Sequence, residues 1–163
     1  MSRYPITGVI GTPFGVFRRT DGKWHWGVDI AAARGTEVVA PEDVEVVRVW
    51  EDDKTPPFVG YGPGGVLARA IAPPQRYHLL AHLAPGQQAS VGDIIHEGER
   101  IGEISAVGHV HWEIRREPVD GPDTRPRNTY DPVLWVATGA LVEKSRGGGL
   151  FVWLLLWWLV SRG

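Results

Sequence analysis

The sequence predicts an all-β domain, folded as a compact antiparallel β-sandwich or barrel-like structure with a groove and followed by a short, helical, hydrophobic C-terminal segment. Two observations predict this fold class. Glycine and proline account for 21 and 13 of the 163 residues and interrupt helical patterns over most of the chain. Between these interruptions lie short runs rich in β-branched residues, a pattern typical of sandwiches and barrels.

The predicted strands lie between turn signals, at residues 37–40, 44–50, 65–71, 77–83, 93–95 and 110–115. Residues 51–64 are rich in proline and glycine, which predicts a long loop that forms one wall of the groove. After Asp131 and Pro132, residues 133–142 predict one short helix.

The composition divides the chain into a domain at residues 1–142, a glycine-rich linker at 143–149 and an apolar, tryptophan-rich C-terminal segment at 150–163. The apolar run of this segment is shorter than the about 20 residues that a membrane-spanning helix needs. Three alternatives remain open for it: packing on another copy or another protein assembly, an interfacial membrane anchor, or a short spanning helix.

Composition excludes several classes of function. The formal net charge of -2 and the pI near 6.3 do not indicate a nucleic-acid partner, for which a basic domain is expected. The absence of cysteine excludes disulfides, thiol nucleophiles and cysteine-ligated metals. The N-terminus contains no apolar stretch of the kind found in secretory signal peptides, so no signal peptide is expected.

One predicted strand presents two histidines on the same face. Because strand side chains alternate between faces, His109 and His111 point together. Two interpretations are open: a functional pair of imidazoles, or a solvated edge face that Glu113 and Arg115 continue. Two adjacent imidazoles without a metal or an acid would repel each other when protonated, which favours the functional pair. The opposite face of the strand is apolar, with Val110, Trp112 and Ile114.

Other histidines and one aspartate complete a possible set of metal ligands. His25 and Asp29 are four residues apart, a spacing that two residues of a turn would also show. Alternation places His78 and His82 on one face of their strand. Without cysteine, a zinc site would use three His, Asp or Glu ligands and leave a position for water, whose pKa the metal lowers to about 7. The chain contains the residues for such a site.

A series of motifs between Gly8 and Val136 resembles the lysostaphin/LytM-type zinc metallopeptidases, which cut peptide bonds in bacterial peptidoglycan. Each motif is modestly specific, but their order along the chain is highly specific. The motifs are Thr12 to Phe17, the HxGxD element from His25 to Asp29, Gly35 to Pro41, Ala81-His82-Leu83, a hairpin-like stretch from Val91 to Gly102, and the HxHxE element from His109 to Glu113.

The resemblance implies a zinc-dependent endopeptidase with the family's duplicated hybrid motif fold. It implies that His25, Asp29 and His111 ligate Zn2+ and that His82 and His109 are the catalytic histidines. The implied substrate is a peptide cross-link or stem peptide of peptidoglycan, so the protein would act at the bacterial cell wall. The N-terminus and segment 150–163 lead to the further hypothesis of a phage-encoded protein, associated with a virion or a membrane or acting in lysis.

Two other histidines fall outside the motif positions. His78 has no counterpart in the family and is expected to line the groove or the surface, whereas His96 is expected to face solvent in a turn.

Alternative functions remain open. A catalytically silent peptidoglycan-binding or structural protein, such as a phage tail or envelope component, would keep the fold, but such relatives lose ligands and here all five motif residues are present. A carrier domain would need a lysine in a hairpin turn, and no lysine is suitably placed. The stretch between Gly102 and His109 is shorter than is usual in the family, so the substrate preference of the family does not transfer.

Overall fold

The computed structural model describes residues 3–52, 54, 60–118 and 128–141. These residues form twelve strands and one helix. The elements are β1 (Val9–Ile10), β2 (Phe17–Arg18), β3 (Lys23–Trp24), β4 (Val28–Ala31), β5 (Glu37–Val39), β6 (Val44–Trp50), β7 (Gly65–Ala70), β8 (Tyr77–Ala81), β9 (Ile94–Ile95), β10 (Arg100–Glu103), β11 (His109–Arg115), β12 (Thr129–Tyr130) and α1 (Pro132–Thr138).

One antiparallel sheet dominates the fold. Its strand order is β1-β4-β11-β8-β7-β6-β9, and β12 pairs with the end of β11 beyond β4. Two smaller antiparallel pairs, β5 with β10 and β2 with β3, lie outside this sheet. From His111 onward, strand β11 therefore lies between β8 on one side and β4 or β12 on the other, which holds its residues in a fixed register.

The main core lies between one face of the large sheet, the β5–β10 pair and helix α1. Strand β11 contributes every second residue to it, as its apolar alternation predicts. The buried residues include Val28, Ile30, Val38, Leu80, Ile101, Ile104, Val110, Trp112, Ile114 and Trp135. The other face of the sheet carries a smaller apolar cluster, formed by Trp50, Tyr61, Leu67, Tyr77, Leu79 and Ala81. Both faces of the sheet centre are thus covered.

The predicted all-β class is confirmed, and the predicted strand at 44–50 has the observed bounds. Helix α1 is shorter than predicted because Gly139 adopts a left-handed conformation and ends it. At the other end, the side chain of Asp131 accepts hydrogen bonds from the backbone N–H groups of Val133 and Leu134.

The prediction of a hairpin over residues 91–102 is wrong. Strand β9 pairs with β6, whereas β10 pairs with β5. The chain between them is hydrogen-bonded to a third segment. Gly98 donates its N–H to the carbonyl of Ala40, and Ala40 donates its N–H to the carbonyl of Glu99. The two strands consequently enter different sheets. His96 lies in this connection, and its side chain is 66% exposed, as predicted.

The predicted position of His78 is also wrong. His78 is completely buried, and its register partners Ile114 and Ala68 belong to the main core. Its Nδ1 accepts a hydrogen bond from the indole N–H of Trp112 at 3.1 Å, and its Nε2–H donates to Glu42 at 2.6 Å. Because the indole nitrogen can only donate, His78 is neutral and carries its proton on Nε2.

His78 and His82 do not share a face. Strand β8 ends at Ala81, and His82 has a φ of 66°, in the left-handed region, which breaks the alternation that the strand would otherwise continue. The side chain of His82 therefore lies on the opposite side of the sheet from His78.

Several predictions concern residues outside those that the structure describes. Residues 53 and 55–59 of the proline-rich loop, the linker 143–149 and the apolar segment 150–163 fall there. Within the described part of the chain, no helix is long and apolar enough to cross a membrane.

Burial lowers the pKa of His78 below its ordinary value, more strongly than the neighbouring Glu42 raises it. Below about pH 6.5, the unfolded chain therefore binds a proton that the folded chain does not. The free energy of unfolding decreases as the pH is lowered, by up to about 1.4 kcal/mol per pH unit. We expect His78→Gln to be less stable near pH 7 but to lose less stability on acidification to near pH 5. Urea unfolding at the two pH values measures this, and equal losses in both proteins would contradict it.

Candidate metal centre

Three polar side chains from different parts of the chain converge on one point. The Oδ1 atom of Asp29 lies 3.0 Å from Nε2 of His25 and 2.8 Å from Nδ1 of His111, and the two nitrogens are 2.9 Å apart. His25 and His111 are buried, and the Asp29 side chain is 15% exposed. Two ring nitrogens at this distance need a proton or a cation between them, since facing lone pairs repel.

The remaining nitrogen of each histidine has an acceptor of its own. His25 donates Nδ1–H to the backbone carbonyl of Pro13 at 3.1 Å, and His111 donates Nε2–H to Glu113 at 2.8 Å. These bonds fix the rings with His25 Nε2 and His111 Nδ1 directed at Asp29. Metal-binding histidines have this arrangement, in which the second nitrogen is held by a carbonyl or a carboxylate.

The backbone holds the three residues in register. Asp29 and His111 are paired neighbours on β4 and β11, so their side chains emerge on the same face. His25 precedes β4 and is anchored on the segment before it, because its N–H donates to Val16 and its carbonyl accepts from Gly15. Gly27 permits this approach: a Cβ there would lie 2.6 Å from the Trp112 carbonyl and 2.7 Å from the His111 ring.

Behind His111 lies a buried network of charged and hydroxyl groups. Glu113 accepts from His111 and from the Tyr61 hydroxyl at 3.0 Å through one oxygen, and from Arg115 at 2.7 Å through the other. Arg115 also donates to the Tyr61 hydroxyl at 2.6 Å, which closes the ring of bonds. Glu113 and Arg115 are 3% and 0% exposed, so the interpretation of this face as solvated is wrong.

His82 and His109 lie beside the three converging residues. Their ring centroids are 4.6 Å apart, and His82 is 6.2 Å from the ring of His111. His109 Nε2 is 3.8 Å from Asp29 Oδ1. The structure thus brings together all five of the predicted site residues, three of them around one point and two at its side.

His82 is held in an unusual conformation. Among the described residues other than glycine, it alone has a positive φ, a strain that proteins keep where a side chain must be placed for function. Its N–H donates to Tyr61 and its carbonyl accepts from Ser105. Gly62, also left-handed, leaves room for the ring, since a Cβ there would lie 2.2 Å from His82 Nδ1.

The electrostatics of the centre favour a bound cation. Burial alone would raise the pKa of Asp29, but hydrogen bonds with His111 and His25 hold it well below its ordinary range. Burial lowers the pKa of His111, yet hydrogen bonds with Asp29 and Glu113 outweigh it and raise it to about 9. At neutral pH Asp29 is therefore ionised and His111 holds a proton, which a metal ion would displace on binding.

Two further groups have shifted pKa values. Burial is the largest cause that lowers the pKa of His82 to about 3, and His111 and His109 lower it further, so His82 is neutral near pH 7. Burial would raise the pKa of Glu113, but Arg115 and His111 lower it to about 2, so Glu113 remains a carboxylate.

A cleft of about 370 Å³ opens above the centre. All five predicted site residues line it, together with Tyr61 and Glu113 and with residues of the β2–β3 hairpin. Two described residues of the predicted groove wall at 51–64, Gly60 and Tyr61, also line the cleft.

The donor set fits zinc: two imidazole nitrogens and one carboxylate oxygen, with side chains that orient the rings. His25, Asp29 and His111 form the group of described residues whose ligand atoms lie within 4.8 Å of one another. The sequence reasoning missed Tyr61, Glu113 and Arg115. The strand alternation that placed His109 and His111 together also placed Glu113 and Arg115 on the same face, but only as part of the solvated alternative.

Comparison with known proteins gives a consistent family and fold. Residues 23–128 match the family described as peptidase family M23. The catalytic domain of the antimicrobial peptidase lysostaphin from Staphylococcus simulans is 19% identical, with a TM-score of 0.59 over 80% of this chain and 93% of that one. The catalytic domain of the prophage-encoded M23 protein EnpA from Enterococcus faecalis is 21% identical, with a TM-score of 0.55 over 90% and 97%.

A zinc-containing peptidase from Vibrio cholerae is 22% identical, with a TM-score of 0.56. The match covers 73% of this chain but 38% of the Vibrio protein, so this chain corresponds to one part of that protein. These structural similarities show that the three proteins share the fold of this chain.

The network behind His111 leads to a prediction on stability. Glu113→Gln removes the carboxylate charge that faces the buried guanidinium of Arg115, and we expect a loss of about 3–5 kcal/mol in the free energy of unfolding. Arg115→Met should cost a similar amount, and the double variant clearly less than the sum of both. Denaturant unfolding in the presence of a chelator measures this without a contribution from metal binding.

The control is the exposed pair of Arg100 and Glu103, whose side chains are 42% and 33% exposed. Glu103→Gln should cost at most about 1 kcal/mol. Additive losses at Glu113 and Arg115 would show that the two groups do not stabilise each other.

Proposed function

The chain belongs to peptidase family M23, and we propose that it is a zinc-dependent endopeptidase that hydrolyses peptide cross-links or stem peptides of bacterial peptidoglycan. The convergence of His25, Asp29 and His111 in one cleft with His82 and His109 carries this proposal. A zinc-containing relative and a relative described as an antimicrobial peptidase support it.

In this proposal, His25, Asp29 and His111 hold the zinc ion. When bound, zinc supplies Lewis-acid chemistry, which polarises a carbonyl and makes water a better nucleophile near neutral pH. Pro13 and Glu113 act through the ligands: each accepts a hydrogen bond from one of them and so keeps the ring in its metal-binding orientation.

His82 and His109 would handle protons and developing charge. His82 is neutral near pH 7, so its ring offers one N–H donor and one nitrogen that accepts a hydrogen bond. His109, 28% exposed and 3.8 Å from Asp29, faces the cleft where a peptide would lie. Between them the two imidazoles would take the proton of the attacking water, stabilise the oxyanion and protonate the leaving amine.

The site of action in this proposal is the bacterial cell wall. We propose further that the apolar segment 150–163 docks the enzyme to a membrane or to a protein assembly, and that the protein is phage-encoded, in a virion or in lysis. Its tryptophan-rich composition supports the docking, and the likeness to a prophage-encoded M23 protein supports the phage origin.

Product analysis tests the proposal. Zinc-loaded full-length protein is incubated with purified peptidoglycans that differ in the chemistry of their cross-bridges, and the released fragments are identified by mass spectrometry. We expect new amino termini at a peptide cross-link or stem peptide, absent with His109→Ala. If no peptidoglycan is cut, the alternative of a binding or structural protein with the same fold is favoured.

The assigned roles predict two classes of variant. Substitution of His25, Asp29 or His111 by alanine should abolish both zinc binding and turnover, because each removes a ligand. His82→Ala and His109→Ala should keep one equivalent of zinc and lower turnover by about 100-fold or more. Elemental analysis and peptide release measure the two properties.

His96→Ala is the matched control, since His96 is exposed and outside the cleft; it should keep both zinc and turnover. A full equivalent of zinc in His25→Ala, Asp29→Ala or His111→Ala would disprove that ligand assignment.

A further inference from the structure

The hairpin formed by β2 and β3 makes one wall of the cleft. From this hairpin and its turn, Arg18, Asp21, Lys23 and Trp24 line the same cleft as the metal centre. Residues 17–24 contain three cationic residues and one anionic residue, a net charge of +2 in a chain whose formal net charge is -2. The net charge of this wall is thus opposite in sign to the net charge of the whole chain.

Most of the charge in the cleft is already neutralised by partners. Arg18 pairs with Asp21 at 2.7 Å, Asp29 with His25 and His111, and Glu113 with Arg115. Lys23 is exposed, and within the described ranges its ammonium group has no carboxylate partner. A positive charge that lacks a partner in a substrate cleft is suited to an anionic group of the substrate.

Two further donors in this region have no acceptor. The Nε–H of Arg18 and the indole N–H of Trp26 are buried and make no hydrogen bond within the described structure, and both residues line the cleft. Unpaired buried donors are uncommon in folded proteins and are often satisfied by a ligand or a water. Trp24, 45% exposed, adds an apolar surface beside Lys23, where an ion pair is screened less than in bulk water.

We propose that the β2–β3 hairpin recognises a free carboxylate of the substrate peptide and that Lys23 is the residue that contacts it. The inference rests on the proposed function, because stem peptides of peptidoglycan carry free carboxylates at their acidic residues and at their carboxyl ends. Lys23 would then distinguish a free-acid peptide from its amidated form.

Binding of two synthetic stem peptides tests this, one with free carboxylates and one with the same carboxylates amidated. The full-length chain is used after treatment with a chelator, so that the peptide is neither cut nor bound through zinc. We expect calorimetry to show binding of the free-acid peptide roughly three- to tenfold tighter at low salt, and a smaller preference at high salt. Lys23→Gln should abolish the preference, and Lys23→Arg should retain it.

Arg34→Gln is the matched control, since it removes a charge from an exposed turn outside the cleft and should keep the preference. Equal binding of the two peptides by the wild type, a preference that survives Lys23→Gln, or no measurable binding of either peptide would overturn the inference. The proposed function is judged separately, by the new amino termini that zinc-loaded protein releases from peptidoglycan.

Discussion

Strand β11 is covered on both faces, and one of these faces carries four polar side chains. The organisation of the molecule follows from the way in which these polar groups are paired. Val110, Trp112 and Ile114 anchor the strand in the main core. The opposite face would be costly to bury unless each polar group had a partner. The partners are what make the site: Asp29 for His111, and Arg115 with Tyr61 for Glu113.

The positions of Asp29 and His111, two of the proposed ligands, are fixed by the sheet and not by these side chains themselves. β4 and β8 flank β11, so Asp29, His111 and Ala81 occupy adjacent positions in register on one face. Because the main core lies on the other face, it stabilises the sheet without competing for the space above the histidines. The side-chain donor atoms of His25, Asp29 and His111 already lie around one point, so a metal ion would need little rearrangement of the backbone to bind there.

Much of the site could be predicted from the sequence, and the errors have identifiable physical causes. Alternation along β11 is strictly local, so it predicted correctly that His109 and His111 share a face. The same rule failed at His82, because a single left-handed residue reverses the direction of the side chain. Pairings between distant segments, such as β10 with β5 in place of β9, depend on hydrogen bonds to Ala40 that no local pattern encodes. Strands of two residues, such as β2 and β3, are too short to show periodicity.

The charged groups around His111 differ in their environment from those of the β2–β3 hairpin. Around His111 the charges of Asp29, Glu113 and Arg115 are compensated and largely buried, so these groups have little freedom to respond to a substrate. On the β2–β3 hairpin the side chain of Lys23 is exposed, which makes its interactions weaker and dependent on salt but leaves it available to a substrate. A metal site requires the first arrangement, because misplaced donor atoms would not bind the ion. Selection among substrates requires the second, because a group already satisfied inside the protein has no binding energy left to distinguish one peptide from another.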